Sequence, residues 1–375
     1  MNKTTKIIIW VVVAVVVVAG IWYGVSRKPA PVAEKEPVKI GVILPLTGEA
    51  ATYGISDREG MLLAIEKINA EGGINGRKVR LIVEDSEGDP KGGISAFRKL
   101  VEIEGVKVIM TELSSVSMAI APLVKEKQIV MFSIAGHPEL TRQSEFIFRN
   151  YPTNTSIGGV TAELVMERLN LKKAGIMYIN DEWGASLANA FREKFKGSIK
   201  MESFGSNDKD FRTQITKLKA FEPEAILVLG HSNVNLGIAL RQIKELGYNG
   251  IILSTLEVSY PEVLETAGEA INGVIYSDLN IDYENNPVAK EMKEIYVAKY
   301  DKEPDLSVAF AYDMTNLLIN AIKKGGYEVG GIKDELLKTK DFEGVFGKLN
   351  INEIGDVEFT LVLKIFRNGK SELYR

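Results

Sequence analysis

The chain has 375 residues, of which 45% are hydrophobic and 26% charged, and this length suits two globular domains better than one. Its formal net charge of −4 supplies no basic surface to neutralise phosphates, so we expect no nucleic-acid partner. The absence of cysteine excludes disulfides, thiolate metal sites, cysteine nucleophiles and an acylated cysteine as a lipid anchor.

The N-terminal residues predict a helix that interacts with a membrane. A short tail, residues 1–6, contains Lys3 and Lys6, and an uncharged apolar run follows over 7–25. These nineteen residues nearly span a hydrocarbon core of roughly 30 Å. A cleaved signal has a shorter apolar region of about 7–15 residues, so we predict an uncleaved transmembrane anchor, with a cleaved signal as the alternative. Residues 26–37 contain three prolines and are typical of a linker.

From Val38 onward, apolar strands alternate with amphipathic helices, which predicts an α/β fold with mostly parallel sheets. Two consecutive series of four such units predict two similar lobes, each a mostly parallel sheet flanked by helices. The first series has its strands at 38–46, 78–85, 106–111 and 129–134. The second has its strands at 173–179, 199–204, 225–229 and 250–254.

Residues 52–89 predict a βαβ unit within the first series. Apolar residues recur at helical spacing, three glycines then end the helix and turn the chain, and a strand with alternating apolar residues follows. The residues that carry this pattern are Met61, Leu62, Ile65, Ile68, Gly72, Gly73, Gly76, Val79, Leu81 and Val83.

Sequence motifs of catalysis and cofactor binding are missing from the chain. Neither G-x-G-x-x-G nor G-x-x-x-x-G-K-[ST] follows a strand, and no G-x-S-x-G nucleophile motif occurs. Two histidines without cysteine do not provide the usual ligand set of a zinc site. We therefore expect a protein that is not an enzyme and needs no cofactor or metal.

Several motifs resemble those of one family. They are Tyr53-Gly54, Gly60, A-x-x-x-I-N-A-x-G-G-I-N-G over 64–76, Asp89-Pro90, P-E-L-T over 138–141, L-R-Q-x-x-x-L-G over 240–247, F-x-G-V-F-G-x-L over 342–349 and Gly355-Asp356. In this order they closely resemble the branched-chain amino-acid-type periplasmic binding proteins. These are the type I solute-binding proteins of ABC importers, the leucine/isoleucine/valine-binding protein family. The resemblance extends over residues 38–375.

The resemblance implies an extracytoplasmic substrate-binding component that captures a small amino acid or related polar metabolite by closure of two lobes. Its partner would be an ABC permease with separate ATPase subunits, and its N-terminal helix would hold it on the membrane. A membrane-tethered sensory domain with the same fold is the alternative. The family's three crossings between lobes imply a first lobe of 38–153 with 281–345, and a second of 154–280 with 346–375.

The resemblance also implies ligand-binding residues in the first lobe. Tyr53 stands where the family has an aromatic wall of the site. Ser114 and Ser115 stand where backbone N–H and hydroxyl groups hold the ligand's α-carboxylate at a helix N-terminus. A surface tyrosine, and serines that only cap the helix, are the structural alternatives.

A loop after the fourth strand departs from the family pattern. Ala135 stands where a carbonyl faces the ligand's ammonium, but the threonine that normally follows is replaced by Gly136 or His137. His137 is either a polar group of the site or a solvated loop residue.

The second lobe contributes three expected site residues by the same resemblance. Trp183 stands where an aromatic residue covers the ligand. A further aromatic residue, usual in the family after the strand at 225–229, is missing here, and Ser232 or Asn233 in its place would make this side smaller and more polar. Glu257 lies near the family's acidic residue that pairs with the ammonium, and a buried carboxylate there would favour an aminated ligand.

Overall fold

The computed structural model describes residues 2–26, 35–231 and 234–374. Most of the predicted linker 26–37 and the predicted site residue Ser232 therefore lie outside the described residues. Two compact units are present, one from Met1 to Glu36 and one that begins at Pro37.

The N-terminal unit contains the helix α1, Lys3–Ser26. Its segment Lys3–Trp22 is long and apolar enough to cross a membrane, and its side chains are exposed. No other helix in the described parts of the chain meets this criterion, which a signal sequence meets equally well. The predicted apolar run over 7–25 lies within α1.

The first sheet of the larger unit has five parallel strands in the order β2-β1-β3-β4-β5. All residues of its central strands β3 and β4 are buried, as expected where helices cover both faces. The strands are β1 Val38–Leu44, β2 Val79–Asp85, β3 Val108–Glu112, β4 Val130–Ile134 and β5 Ile147–Arg149.

The second sheet has seven strands in the order β14-β13-β10-β9-β8-β6-β7. Its strands from β6 to β10 pair in parallel, whereas β13 pairs antiparallel with β10 and with β14. A separate two-stranded hairpin is formed by β11 and β12. These strands are β6 Lys173–Ile179, β7 Ser198–Phe204, β8 Ala225–Leu229, β9 Ile251–Ser254, β10 Ile275–Leu279, β11 Phe342–Gly344, β12 Gly347–Leu349, β13 Leu361–Arg367 and β14 Lys370–Leu373.

Helices connect the strands and pack in pairs. Helix α2 packs on α11, α3 on α4, α5 on α6 and α8 on α9. The helices are α2 Ala51–Ala70, α3 Pro90–Arg98, α4 Ser114–Lys127, α5 Asn154–Glu163, α6 Glu182–Lys194, α7 Arg212–Ala220, α8 Val234–Glu245, α9 Pro261–Ala267, α10 Pro287–Tyr300, α11 Leu306–Gly325 and α12 Val329–Leu337.

Alternation along the strands of the first sheet produces two hydrophobic layers. In β3, Met110 belongs to the layer that contains α2 and α11, while Ile109 belongs to the layer that contains α3 and α4. In β4, Phe132 and Met131 divide in the same way. Helices therefore cover both faces of the sheet and leave its strand ends for binding. The predicted α/β fold class is confirmed, and the predicted lobe boundaries stay a prediction.

A buried ion pair joins the end of β5 to the segment that follows the β11–β12 hairpin. Arg149 has no exposed surface, and its Nε lies 2.8 Å from Oδ1 of Asp356. Its Nη1 donates to the backbone oxygen of His137 at 2.8 Å, and its Nη2 donates to Oγ1 of Thr141 at 3.1 Å. The backbone N–H of Arg149 donates to the carbonyl of Gly355 at 2.9 Å. One side chain thus holds three separate segments together.

We predict that Asp356→Asn lowers the free energy of unfolding by about 3–5 kcal/mol, because the Arg149 guanidinium would remain buried without its counter-charge. Urea denaturation of the full-length protein in detergent, followed by circular dichroism, measures the change. The control Glu372→Gln breaks the exposed Arg367–Glu372 pair and should cost less than about 1 kcal/mol. Equal losses in the two variants would contradict the prediction.

Candidate functional site

A cavity of about 470 Å³ lies where loops of the two sheets meet. Parallel strands end at the same edge of a sheet, so the loops after these strands converge there. The first sheet contributes the loops after its strands and residue Tyr53 of α2, while the second contributes the loops after β6, β7, β8 and β9.

Seven of the nine predicted site residues line this cavity. They are Tyr53, Ser114, Ser115, Ala135, Gly136, Trp183 and Glu257. His137 is not among the described residues of the cavity wall. Its Nδ1 accepts from the backbone N–H of Glu139 at 3.3 Å, and its Nε2 lies 3.7 Å from Oε2 of Glu182. Contact of any of these residues with a ligand stays a prediction.

Helix α4 begins at the cavity with Ser114, and no side chain caps its N-terminus in the described structure. The preceding Leu113 has φ of 69°, an uncommon conformation for a residue other than glycine. The Ser114 hydroxyl accepts a hydrogen bond from the backbone N–H of His137 at 3.2 Å, so it is not the helix cap. The first N–H groups of the helix, together with Ser115, thus form a site suited to a carboxylate.

Glu257 is buried, with 3% of its surface exposed. The Tyr151 hydroxyl donates to its Oε1 at 2.5 Å, and the Thr255 hydroxyl donates to its Oε2. Burial raises the pKa of Glu257 above its usual value, although both hydrogen bonds act in the opposite direction. Glu257 therefore has hydroxyl donors on both oxygens and lines the cavity.

His231 and Asp181 form an ion pair on the second-sheet side, with Nε2 2.5 Å from Oδ2. Burial alone would lower the pKa of His231, but the Asp181 carboxylate, together with the charges of Glu257 and Glu112, raises it. The imidazole ring lies 6.0 Å from the ring of Tyr53 and 5.2 Å from that of Trp183, measured between centroids. Tyr53 also meets Tyr260 edge-on at 5.4 Å. Aromatic rings from helices and loops beside both sheets therefore surround one part of the cavity.

Gly136 is required by the close approach of Asn154. A Cβ atom at position 136 would lie 2.1 Å from Oδ1 of Asn154. The Asn154 amide donates to the backbone oxygen of Trp183 at 3.1 Å and to Oγ of Ser186 at 2.5 Å. Asn154 thereby fixes the start of α6 beside the cavity.

Further cavity residues were not predicted from the sequence. They are Glu112, Tyr151, Asp181, His231, Tyr260, Ser307 and Phe310, among others. Three of them, Glu112, Asp181 and His231, stand at or just after strand ends and could have been found by position alone. Tyr151 follows the short strand β5, which was itself not predicted.

Comparisons with known proteins agree with this architecture. The model of the family described as "periplasmic binding protein" matches residues 37–355. The leucine-, isoleucine-, valine-, threonine- and alanine-binding protein of Pseudomonas aeruginosa is 28% identical over 330 residues, which cover 86% of this chain and 88% of that protein. The resemblance drawn from the sequence motifs is thus confirmed.

Solved structures give the same result. The leucine-binding protein of Thermotoga maritima superposes with a TM-score of 0.84 at 30% identity, covering 90% of this chain and 98% of the other. The branched-chain amino acid transporter substrate-binding protein of Streptococcus pneumoniae, in complex with isoleucine, has a TM-score of 0.82 at 29% identity, with the same coverage.

The two histidines of the chain should titrate on opposite sides of the ordinary value of 6.5. Asp181 raises the pKa of His231, whereas burial lowers that of His137. NMR of protein labelled in its histidines measures both values, and Asp181→Asn should lower the pKa of His231 because the imidazolium loses its counter-charge. His137 serves as the internal control. A pKa of His231 that does not respond to Asp181→Asn would contradict this electrostatic assignment.

Proposed function

We propose that this chain, which belongs to the periplasmic binding protein family, is the extracytoplasmic substrate-binding component of an ABC importer. Its ligand is a small amino acid or a related polar metabolite, which it binds without chemical change and delivers to a permease with separate ATPase subunits. The relatives named above bind branched-chain amino acids by name or are seen with isoleucine, which supports this class of ligand.

One observation carries the proposal. A helix N-terminus without a side-chain cap and a buried carboxylate, Glu257, line the same cavity. The α-carboxylate of an amino acid is suited to the N–H groups at Ser114 and Ser115. Its ammonium is suited to Glu257 and to the carbonyl of Ala135, because a cation removes the cost of burying an ionised carboxylate. Trp183 and Tyr53 then enclose the side chain.

Binding by this arrangement requires both sheets at once. The first sheet supplies the carboxylate site at α4, and the second supplies Glu257 after β9. A ligand that contacts both sides stabilises the state in which they are close together, so we propose closure of the predicted lobes around it. A permease could then distinguish loaded from empty receptor by shape.

We further propose that α1 stays on the mature protein as a membrane anchor. The helix continues from Lys3 to Ser26, longer than the apolar region of a usual cleaved signal, which supports this. The expected result is that protein extracted from membranes with detergent has the intact mass that includes α1. A mature N-terminus beyond residue 20 would show instead that the segment is a cleaved signal.

Removal of the Glu257 carboxylate should weaken the binding of ligands that have an amine and leave the binding of ligands without one unchanged. We expect Glu257→Gln to weaken binding of an L-amino acid by about 2–5 kcal/mol, because the ammonium loses a buried charged partner. Isothermal titration calorimetry measures this on the full-length protein, after thermal shift identifies an amino acid that binds. At a hundred times its dissociation constant, that ligand should stabilise the fold by about 2.7 kcal/mol.

Two controls accompany this test. Glu269→Gln removes an exposed carboxylate outside the cavity and should leave the affinity unchanged. The same amino acid without its amine, for example 4-methylpentanoate in place of leucine, should bind the Glu257→Gln variant and the unchanged protein with similar affinity. If Glu257→Gln binds the intact amino acid with unaltered affinity, Glu257 does not bind the ligand's ammonium. If no amino acid stabilises the protein, the proposed ligand class is wrong.

A further inference from the structure

The cavity is strongly acidic. Among the described residues that line it there is no lysine or arginine, one histidine and five carboxyl groups, those of Glu49, Glu87, Glu112, Asp181 and Glu257. The first two are exposed, and Asp181 is paired with His231. An amino acid with a neutral side chain brings one ammonium and one carboxylate, so it adds no net positive charge to this cavity.

Glu112 is the buried carboxyl group of the cavity whose desolvation the protein compensates least. It is the last residue of β3, lines the cavity and is 4% exposed. As long as both Glu112 and its neighbour Asp57 are ionised, the buried Oε2 of Glu112 has no hydrogen-bond donor within the described structure. Glu257, in contrast, receives hydrogen bonds from two hydroxyl groups.

The neighbour of Glu112 is a second buried carboxyl group, that of Asp57 on α2. Asp57 has no exposed surface, and neither of its oxygens meets a donor when it is ionised. Two such groups can hydrogen-bond each other only when they hold a proton between them. Burial raises the pKa of Glu112 to about 7, and burial together with the charge of Glu112 raises that of Asp57 well above its usual value. Asp57 therefore keeps its proton at neutral pH, and Glu112 becomes negatively charged as the pH rises through about 7.

The other charged and titratable groups around Glu112 are already engaged. Asp305 accepts hydrogen bonds from the Ser56 hydroxyl at 2.6 Å and from the backbone N–H of Val308 at 3.0 Å, at the start of α11. His231 favours the ionised form of Glu112, but it is held by Asp181 at 2.5 Å. The Tyr260 hydroxyl lies 2.9 Å from Oγ of Ser307.

We infer that the ligand carries a second basic nitrogen, on its side chain, and that this cation binds at Glu112. The inference rests on the proposed function and narrows its ligand to diamino acids, which have one carboxylate and two ammonium groups. The α-ammonium pairs with Glu257 and the side-chain ammonium with Glu112, which gives each unneutralised buried carboxyl of the cavity a cationic partner.

The surroundings of Glu112 favour a cation over an aliphatic group. An aliphatic side chain such as that of isoleucine would cover the Glu112 carboxylate without offering a donor, which leaves a desolvated charge. An ammonium group offers three donors and the opposite charge. The aromatic rings of Tyr53, Tyr260 and Trp183, which line the same cavity, also stabilise a cation near their faces.

Calorimetry on the full-length protein at pH 8 with L-lysine, L-ornithine and L-norleucine tests the inference. Norleucine has the carbon chain of lysine without the terminal amine. We expect lysine or ornithine to bind at least about tenfold more tightly than norleucine. Glu112→Gln should lower the affinity for the diamino acid by about tenfold or more and leave the affinity for norleucine equal or higher. The control Glu126→Gln removes an exposed carboxylate from the other end of α4 and should change neither affinity.

Dependence on pH provides a second readout. A cation favours the ionised form of Glu112, so protons compete with it as the pH falls through about 7. The affinity for the diamino acid should therefore be lower at pH 6 than at pH 8. This loss should be smaller in Glu112→Gln, while contributions from His231, Asp305 and Asp57 remain in both proteins.

The outcomes separate the inference from the proposed function. Norleucine bound as tightly as lysine by the unchanged protein would overturn the inference and leave amino-acid binding intact, and this comparison needs no variant to fold. The same holds if Glu112→Gln reduces both affinities equally. Absence of binding by every amino acid would defeat the proposed function itself.

Discussion

Parallel pairing of the strands is the constraint on which the cavity depends. Strands that run in the same direction end at the same edge, and each must be followed by a loop that returns the chain through a helix. Within β3 and β4 every residue is buried, so polar groups that face a ligand have to stand at the strand ends. Glu112 and Ser114 mark this change from core to cavity within three residues. The same arrangement is repeated in the second sheet, which is why both sheets supply polar side chains to one space.

The buried carboxyl groups of the cavity differ in how the protein compensates their desolvation. Asp181 is paired with His231, and Glu257 has two hydroxyl donors. Glu112 has only a shared proton with Asp57. An isolated buried carboxylate is costly, and the fold can hold one only because the sheets and α2 fix its position. Incomplete compensation of this kind is common where a protein binds a charged ligand.

Local patterns in the sequence were sufficient for the strands that are apolar and continuous. The eight strands expected from such runs are present, with ends that differ by no more than two residues. Strand β10 was missed because its buried Ser277 and Asp278 interrupt the apolar pattern. Asp278 is tolerated there because Nζ of Lys364, on β13, lies 2.9 Å from its Oδ2. A partner so distant in the chain leaves no local signal in the sequence. Strand β5 was missed because it has three residues.

The same limit applies to the cavity. Residues at the ends of recognised strands, such as Trp183 and Glu257, were predicted because their position and a family resemblance coincide. The pair Asp57–Glu112 could not be predicted, because it depends on how α2 packs against β3. Burial of Glu257 was left open by the sequence for a similar reason, since Tyr151 and Thr255 reach it from different segments.

Gly136 has a consequence for how the selectivity of this cavity can change. Because the Asn154 amide occupies the place of a side chain at position 136 and also holds the backbone of Trp183, a larger residue at 136 would disturb the wall on the opposite sheet. A substitution at position 136 would therefore disturb the packing of Asn154 and Trp183 before it changed ligand specificity. We therefore expect changes of ligand specificity to arise at cavity positions whose side chains do not support both sheets.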